Sequence, residues 1–193
     1  MIELLPSSYV DRLKIEEIFA RPAPLEVDLG CGDGSFLASL AAMHSARNFL
    51  GIERLAGRVR SACYKTRSLP NVRVLRIETA YAVRYLLPPN AVSVFHFLFP
   101  DPWPKRRHHE RRVFKAEFLD ALITALTPGG FLHIATDQHD YFLEMADLVR
   151  ARGELQIVSG QLGELPPTTF EKRFRDSGQP IYRVELRKTS PVT

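Results

Sequence analysis

The chain has 193 residues, 45% of them hydrophobic and 25% charged, which is enough for one domain with a full core and no disulfides. Its longest apolar run, 91–99, is too short to span a membrane. The N-terminus does not have the pattern of a signal peptide, and Cys31 and Cys63 are not spaced as metal ligands. We therefore expect a cytoplasmic protein without a metal site. The net charge of +4 is a mild indication of a polyanionic partner.

Short apolar runs alternate with amphipathic segments along most of the chain. In order, the pattern predicts a helix at 11–19, a strand at 25–29, a helix at 35–44, a strand at 49–53, a helix at 56–69, a strand at 72–77, a helix at 80–87, a strand at 92–99, a helix at 113–126, a strand at 131–136, a helix at 139–152, and strands at 155–158 and 181–186, with 160–179 mostly loop.

This alternation predicts an α/β fold, a mostly parallel sheet of seven strands with helices on both faces. Because little helix separates the last two strands, we expect one of them to be antiparallel at the sheet edge. Residues 1–193 are expected to form a single domain, of which 1–23 are a short N-terminal helical extension. Ligands of such sheets bind beyond the carboxyl ends of the strands, where the glycine-rich turn at 30–34, Glu53, the loop 100–104 and Asp137 all fall.

The glycine-rich turn indicates a nucleoside ligand other than the dinucleotide NAD. Gly30, Gly32 and Gly34 allow a sharp turn and a close approach of a ligand to the backbone. Ser35 stands where a dinucleotide-binding turn has its third glycine, which disfavours NAD.

Acidic residues around the turn also disfavour a dinucleotide. Glu26, Asp28 and Asp33 repel a pyrophosphate and suit the amino group and sulfonium of S-adenosyl-L-methionine. Glu53, at the end of the second predicted strand, is where a carboxylate accepts hydrogen bonds from ribose hydroxyls.

The loop 100–104 holds three prolines in five residues and is therefore stiff. It carries Asp101 as a candidate catalytic carboxylate and Trp103, which either stacks on a base or packs into the core. The basic run that follows predicts phosphate contacts, because guanidinium groups match phosphate oxygens. The arginines of that run are Arg106, Arg107, Arg111 and Arg112.

These motifs resemble the bacterial tRNA (guanine-N7-)-methyltransferases over most of the chain. The strongest match is Phe-Pro-Asp-Pro-Trp-Pro-Lys-Arg-Arg-His at 99–108, and further matches lie at 50–53, 135–137 and 168–171. The resemblance implies a Rossmann-like class I methyltransferase fold, S-adenosyl-L-methionine as cofactor, and tRNA as the partner that is methylated, at guanine 46 of its variable loop.

The resemblance also implies roles for individual residues. Asp101 is the presumed catalytic residue and lies in the cofactor site together with Glu26 and Glu53, beside Gly30 and Gly32 of the turn. The substrate site comprises Lys105, Asp137, Thr168, Thr169, Phe170 and Glu171. Where the family has an Asp-Ala pair near the adenine, this chain has Thr79-Ala80 preceded by Glu78, so either Glu78 or Thr79 takes that contact.

Other functions remain open on the sequence alone. A methyltransferase acting on a small molecule or protein explains the turn and Glu53 but not the basic run, and a non-catalytic RNA-binding protein explains the basic run. A dehydrogenase is disfavoured by Ser35. The composition is compatible with a monomer or a homodimer.

Overall fold

A computed structural model describes residues 2–189. Its elements in chain order are β1 (Glu3–Leu4), α1 (Ile15–Ile18), β2 (Leu25–Leu29), α2 (Ser35–Met43), β3 (Asn48–Glu53), α3 (Ala56–Thr66), β4 (Val72–Arg76), α4 (Thr79–Tyr81) continued by a π-helical turn (Ala82–Leu86), β5 (Val92–Leu98), a 3₁₀ helix (Arg106–Arg111), α5 (Ala116–Ala125), β6 (Leu126–Thr136), α6 (His139–Arg150), β7 (Leu155–Val158), α7 (Thr169–Asp176) and β8 (Tyr182–Lys188).

The strands form one sheet in the order β1-β4-β3-β2-β5-β6-β8-β7. The first six of these are parallel neighbours, while β8 is antiparallel to both β6 and β7. The strand order reverses beside β2, because chain connections run from β2 outward through β3 to β4 and then return to β5. This reversal places the ends of β2 and β5 side by side at the position where such sheets bind ligands. The predicted α/β fold with an antiparallel edge is confirmed.

Alternate residues of the central strands face two different hydrophobic layers. Leu25, Val27 and Leu29 of β2 pack toward the layer formed with the π-helical turn, α5 and α6. The opposite face is covered by α2 and α3, whose buried side chains meet Phe49 of β3. Polar residues of β2 therefore point under α2, and Asp28 lies there in register with Gly51 of β3.

The N-terminal region differs from its prediction. An eighth strand, β1, pairs with β4 in place of a purely helical extension, and the helix predicted at 11–19 is a single turn at Ile15–Ile18. The chain before that turn forms bends instead of helix, and the backbone N–H of Leu13 donates to the carbonyl of Leu86 at 2.8 Å.

The segment predicted as loop at 160–179 contains α7. Thr168 caps this helix, since its Oγ1 accepts a hydrogen bond from the backbone N–H of Glu171 at 2.9 Å. Thr and Glu three residues apart are the spacing of a capping box, so a start signal was present in the sequence. The signal is weak, because the helix has only eight residues and buries little apolar surface.

Candidate active site

A cavity of about 410 Å³ opens at the carboxyl ends of β2, β3, β4 and β5. Five of the predicted cofactor residues line it, namely Gly30, Glu53, Glu78, Thr79 and Asp101, and so does Arg111, which is predicted to contact phosphate. The topology brings the five cofactor residues together, because each follows or ends a parallel strand at the same edge of the sheet.

The glycine-rich turn forms one wall of this cavity. Gly30 has φ +77°, and a side chain added there would meet no atom within 4 Å, so the space above its backbone is open to a ligand. The turn is anchored to β3, because the backbone N–H groups of Gly30 and Cys31 both donate to the carbonyl of Ile52. Gly34 serves packing instead: a Cβ there would lie 2.6 Å from Cα of Ala62 in α3.

Glu53 is a buried carboxylate fixed by the turn it faces. Its Oε2 accepts from the backbone N–H of Gly32 at 3.2 Å, and its Oε1 accepts from that of Leu55 at 2.9 Å. Arg58 is 3.9 Å away and half exposed. Two backbone donors thus orient Glu53. Gly32 does not line the cavity itself, but it holds the Glu53 carboxylate that does.

Asp28, one of the three acids that the sequence indicates as suited to a cationic ligand, is a second buried acid next to this wall. Its side chain is 5% exposed, and its Oδ2 has no hydrogen-bond partner among the described residues. Burial and the neighbouring Glu53 raise the pKa of Asp28 to about 7. Two acids with one unpaired oxygen form a site that attracts a positive charge.

Glu78 and Thr79 stand at the end of β4. Both carboxylate oxygens of Glu78 accept backbone hydrogen bonds at the start of α4, from Ala80 at 2.9 Å and Tyr81 at 2.7 Å. Glu78 is therefore the N-cap of that helix. Thr79 lines the same cavity beside it.

The loop 100–104 forms the opposite wall and exposes Asp101 to the cavity. Two residues here have left-handed backbone: Phe99, directly before the loop, has φ +50°, and Trp103, within it, has φ +43°. Such conformations in bulky residues are strained and persist only when the surroundings enforce them. Trp103 is half-buried in the cavity wall, and the guanidinium of Arg111 lies 5.0 Å from its ring centroid.

The basic run follows on the protein surface. Lys105, Arg106, Arg107 and Arg111 are exposed there, the arginines on the 3₁₀ helix, so their charges are available to a partner.

A second cavity of about 180 Å³ lies beyond β5 and shares Leu98 with the first. Thr168 and Glu171 line it, together with the buried His133, whose pKa is lowered to about 3 chiefly by burial. The carboxylate of Glu171 is paired with Arg175 and Arg183.

Three aromatic rings connect this region to the start of the loop 100–104. Phe170 is 46% exposed, and its ring lies 6.2 Å from that of Phe174 and 6.3 Å from that of Phe99. Thr169 is exposed at the start of α7, and Asp137 follows β6 and accepts a hydrogen bond from Gln138 at 2.6 Å. Of the predicted substrate residues, Phe170 thus lies beside Phe99 at the start of the loop of Asp101, and Thr168 and Glu171 line the second cavity.

Comparison with known proteins identifies the family. The profile of a family described as "Putative methyltransferase" matches residues 22–184. The tRNA (guanine-N(7)-)-methyltransferase of Alkalilimnicola ehrlichii is 37% identical over 183 residues, which are 91% of this chain and 77% of that protein. The chain belongs to the tRNA (guanine-N7-)-methyltransferase family. A second member, from Halorhodospira halophila, is 36% identical over 91% of this chain and 79% of its own length.

Among solved structures, the aminoglycoside resistance methyltransferase NpmB1 has a TM-score of 0.64 with 20% identity, covering 91% of this chain and 92% of that one. At that identity the likeness supports the fold alone. It agrees with the Rossmann-like methyltransferase fold predicted from the sequence.

Neither Glu26 nor Asp28 is among the residues that line the cavity, so the predicted contact of Glu26 with the cofactor stays a prediction. Glu26 lies in the first half of β2, 3% exposed, where it pairs with Arg47 and its Oε2 is 2.9 Å from Nε2 of His96. Although burial alone raises the pKa of Glu26, hydrogen bonds from His96 and Arg47 leave it below its ordinary value. In this family member, Asp28 is the acid of β2 beside the glycine-rich turn.

Arg112 is also placed differently from its prediction as a phosphate contact. Its side chain is 2% exposed and is paired with two acids of α6. A buried, paired guanidinium has no surface left for a phosphate.

Among residues 2–189, no group of three or more His, Cys, Asp or Glu side chains is placed to hold a metal ion. Within the same range, no helix combines the length and apolar character needed to cross a membrane.

Proposed function

We propose that this chain transfers a methyl group from S-adenosyl-L-methionine to N7 of a guanine in the variable loop of tRNA, as a single-domain enzyme of the cytoplasm. The observation that carries the proposal is the arrangement at the sheet edge. A ligand cavity beside the glycine-rich turn, the carboxylate of Asp101 and an exposed basic helix adjoin one another there.

The residues of the first cavity fit S-adenosyl-L-methionine. The unpaired oxygen of Asp28, together with Glu53, suits the positive amino group, and the open space at Gly30 suits close approach of the ligand to the backbone. Glu53 is suited to ribose hydroxyls. Glu78 and Thr79 both line the cavity, so the adenine contact is assigned to this pair.

When bound, the cofactor supplies an electrophilic methyl group on its sulfonium. Guanine N7 carries an in-plane lone pair and no proton, so the chain needs no general base to create the nucleophile. Orientation and exclusion of water are then the main contributions of the protein, and effective molarity supplies about 7–11 kcal/mol at most.

Asp101 has two possible functions in this reaction. As methyl transfer leaves the guanine positively charged, a fixed carboxylate stabilises the transition state electrostatically. Alternatively, the carboxylate accepts hydrogen bonds from N1–H and the exocyclic amine and so orients the base. Both functions need the charge or the acceptor oxygens of Asp101 at the cavity wall.

The substrate side of the site is assigned to residues around the second cavity. Thr168, Thr169, Phe170 and Glu171 of α7 and its cap, with Asp137 and Lys105, are proposed to hold the guanine and its flanking nucleotides. Phe170 offers an exposed ring on which a base withdrawn from its stack is stabilised by about 1–3 kcal/mol. Arg106, Arg107 and Arg111 are proposed to contact phosphates.

One assay tests the proposal. Purified protein is incubated with methyl-labelled S-adenosyl-L-methionine and an unmodified tRNA transcript, and the nucleosides are then analysed. Label in 7-methylguanosine supports the proposal, and label in another nucleoside indicates a different methyltransferase. Binding of tRNA without any incorporation indicates a non-catalytic RNA-binding protein.

Asp101→Asn tests the catalytic assignment in the same assay. We expect kcat to fall about a hundredfold or more, the scale seen when one electrostatic contact to a transition state is removed. Asp147→Asn is the matched control, because Asp147 is exposed on α6 and pairs only with the neighbouring Arg150. Turnover of Asp101→Asn near the wild-type value with saturating tRNA contradicts both functions given to Asp101.

A further inference from the structure

The loop 100–104 has few attachments to the rest of the protein. Pro100, Pro102 and Pro104 have no backbone N–H, so the loop offers mainly carbonyl oxygens for hydrogen bonds. Within residues 2–189, one hydrogen bond reaches the backbone of this loop: Nε of Arg112 donates to the carbonyl oxygen of Pro102 at 2.8 Å.

Arg112 is itself fixed from the other side by α6. One terminal nitrogen donates to Oδ2 of Asp140 at 2.7 Å, and the other lies 2.7 Å from Oε1 of Glu144. The guanidinium carbon lies 4.7 Å from the ring centroid of Tyr141, between the two acids in sequence. The pKa of Asp140 is held below its ordinary value, chiefly by the hydrogen bond from Arg112.

These contacts use the particular shape of a guanidinium. Its planar fork donates hydrogen bonds to Pro102 and Asp140 and places its third nitrogen in an ion pair with Glu144, whereas a lysine ammonium is a compact charge that cannot span all three. Arg112 is almost fully buried, so water does not replace a lost partner.

We propose that Arg112 is a positioning residue that fixes Asp101 in the cavity wall by clamping the adjacent Pro102 to α6. Asp101 and Pro102 are consecutive, so a displacement of the Pro102 carbonyl moves the Asp101 backbone directly. The effect of Arg112 on catalysis rests on the proposed methyl transfer, whereas its effect on the position of the loop does not.

Trp103 provides a readout that is independent of activity. It is the single tryptophan of the chain and follows Pro102 immediately, so its fluorescence reports on this loop alone. In Arg112→Lys we expect the acrylamide quenching constant of Trp103 to rise at least twofold, because the loop loses its attachment to α6.

The kinetic expectation is specific to positioning. In Arg112→Lys we expect kcat to fall about ten- to a hundredfold, since a misplacement of about 1 Å costs this much. The KM for S-adenosyl-L-methionine is expected to change by a smaller factor than kcat, because Arg112 itself does not line the cavity and the other lining residues stay in place. A purely structural role lowers the thermal midpoint and leaves both readouts of the folded protein unchanged.

Two further variants keep the test decisive. Arg152→Lys is the matched control: Arg152 makes a comparable two-nitrogen contact with Asp120, at 2.7 and 3.3 Å, and we expect wild-type quenching and kcat. Glu144→Gln removes one half-exposed partner of Arg112 and is expected to give intermediate quenching, even if Arg112→Lys fails to fold.

The outcomes separate the two proposals. Wild-type quenching in folded Arg112→Lys, or in Glu144→Gln where the former does not fold, overturns the clamp. A wild-type protein that methylates no tRNA overturns the proposed function, while the fluorescence comparison still decides whether Arg112 holds the loop.

Discussion

The buried acid at the end of β2 gives the structure a testable dependence on pH. Asp28 has an ordinary pKa of 3.8, and burial beside Glu53 raises its pKa to about 7 in the folded protein. Between these values the unfolded chain has released the proton, whereas the folded protein retains it. The free energy of unfolding therefore falls as pH rises through this interval.

The magnitude follows from the difference of about 3 pH units, at about 1.36 kcal/mol per unit. Relative to Asp28→Asn, whose amide does not titrate, the wild type is expected to lose up to about 4 kcal/mol between about pH 4 and about pH 8. Asp28→Asn therefore becomes the more stable protein at the alkaline end, or at least gains on the wild type by this amount.

Urea denaturation of both proteins across this pH range measures the effect, because titrations common to both cancel in the difference. Asp33→Asn is the control with opposite sign. Although its partial burial opposes this, hydrogen bonds from Lys65 and Ser35 hold the pKa of Asp33 below its ordinary value. A difference between wild type and Asp28→Asn that does not change with pH refutes the reasoning.

Two further predictions concern the glycine-rich turn and the basic surface. Gly34→Ala is expected to lower the free energy of unfolding by about 3 kcal/mol, because Gly34 has φ +77° and a Cβ there would collide with Ala62. Gly57→Ala is the control: this exposed helical position has no atom within 4 Å, and the change is expected to raise the free energy of unfolding by up to about 1 kcal/mol. Equal effects of the two changes in chemical denaturation contradict the packing assigned to Gly34. Replacing Arg106 and Arg107 by Ala is expected to reduce the slope of log K for tRNA against log salt by about one for each lost contact. Arg150→Ala, on the exposed face of α6, is expected to leave that slope unchanged, and an unchanged slope in the double variant excludes phosphate anchoring.

The fold was largely predictable because the central strands are buried on both faces. Runs such as 25–29 and 49–53 are apolar and end at glycine or an acid, so their period and boundaries are visible in the sequence. β6 was harder: it begins at Leu126, and a register irregularity between Val92 and Val94 of β5 accommodates the residues before Phe131. Such a bulge depends on pairing with a neighbour and leaves no local pattern.

The site was predictable where residues directly follow the ends of strands. It was less predictable where two nearby residues of the same type have different surroundings in the folded protein. Glu26 and Asp28 are both acids on the same face of β2, and only the structure shows that Glu26 is neutralised by Arg47 and His96. Their positions relative to the glycine-rich turn were the available signal, since Asp28 is two residues closer to Gly30.

Arg111 and Arg112 present the same difficulty in a charge run. Arg111 is exposed at the end of the 3₁₀ helix, whereas Arg112 has extended backbone at φ −60° and ψ 130°, and its side chain is buried against α6. A basic run has no periodicity that separates surface from buried members. The partners Asp140 and Glu144 lie about thirty residues away, so the pairing depends on tertiary structure.

The aromatic contact of Phe99 with Phe170 and Phe174 also bears on which changes of length this chain tolerates. The rings dock α7 against the start of the catalytic loop, so the position of the helix is set at its own contacts. The connection 159–167 before it includes Gly160 and Gly163, both with positive φ, and forms no helix or strand. Residues can therefore be inserted or deleted in this connection at small entropic cost, whereas the spacing from Thr168 to Phe174 is fixed by the helix. Engineered insertions are therefore expected to be tolerated before Gly163, where the connection does not yet line the second cavity.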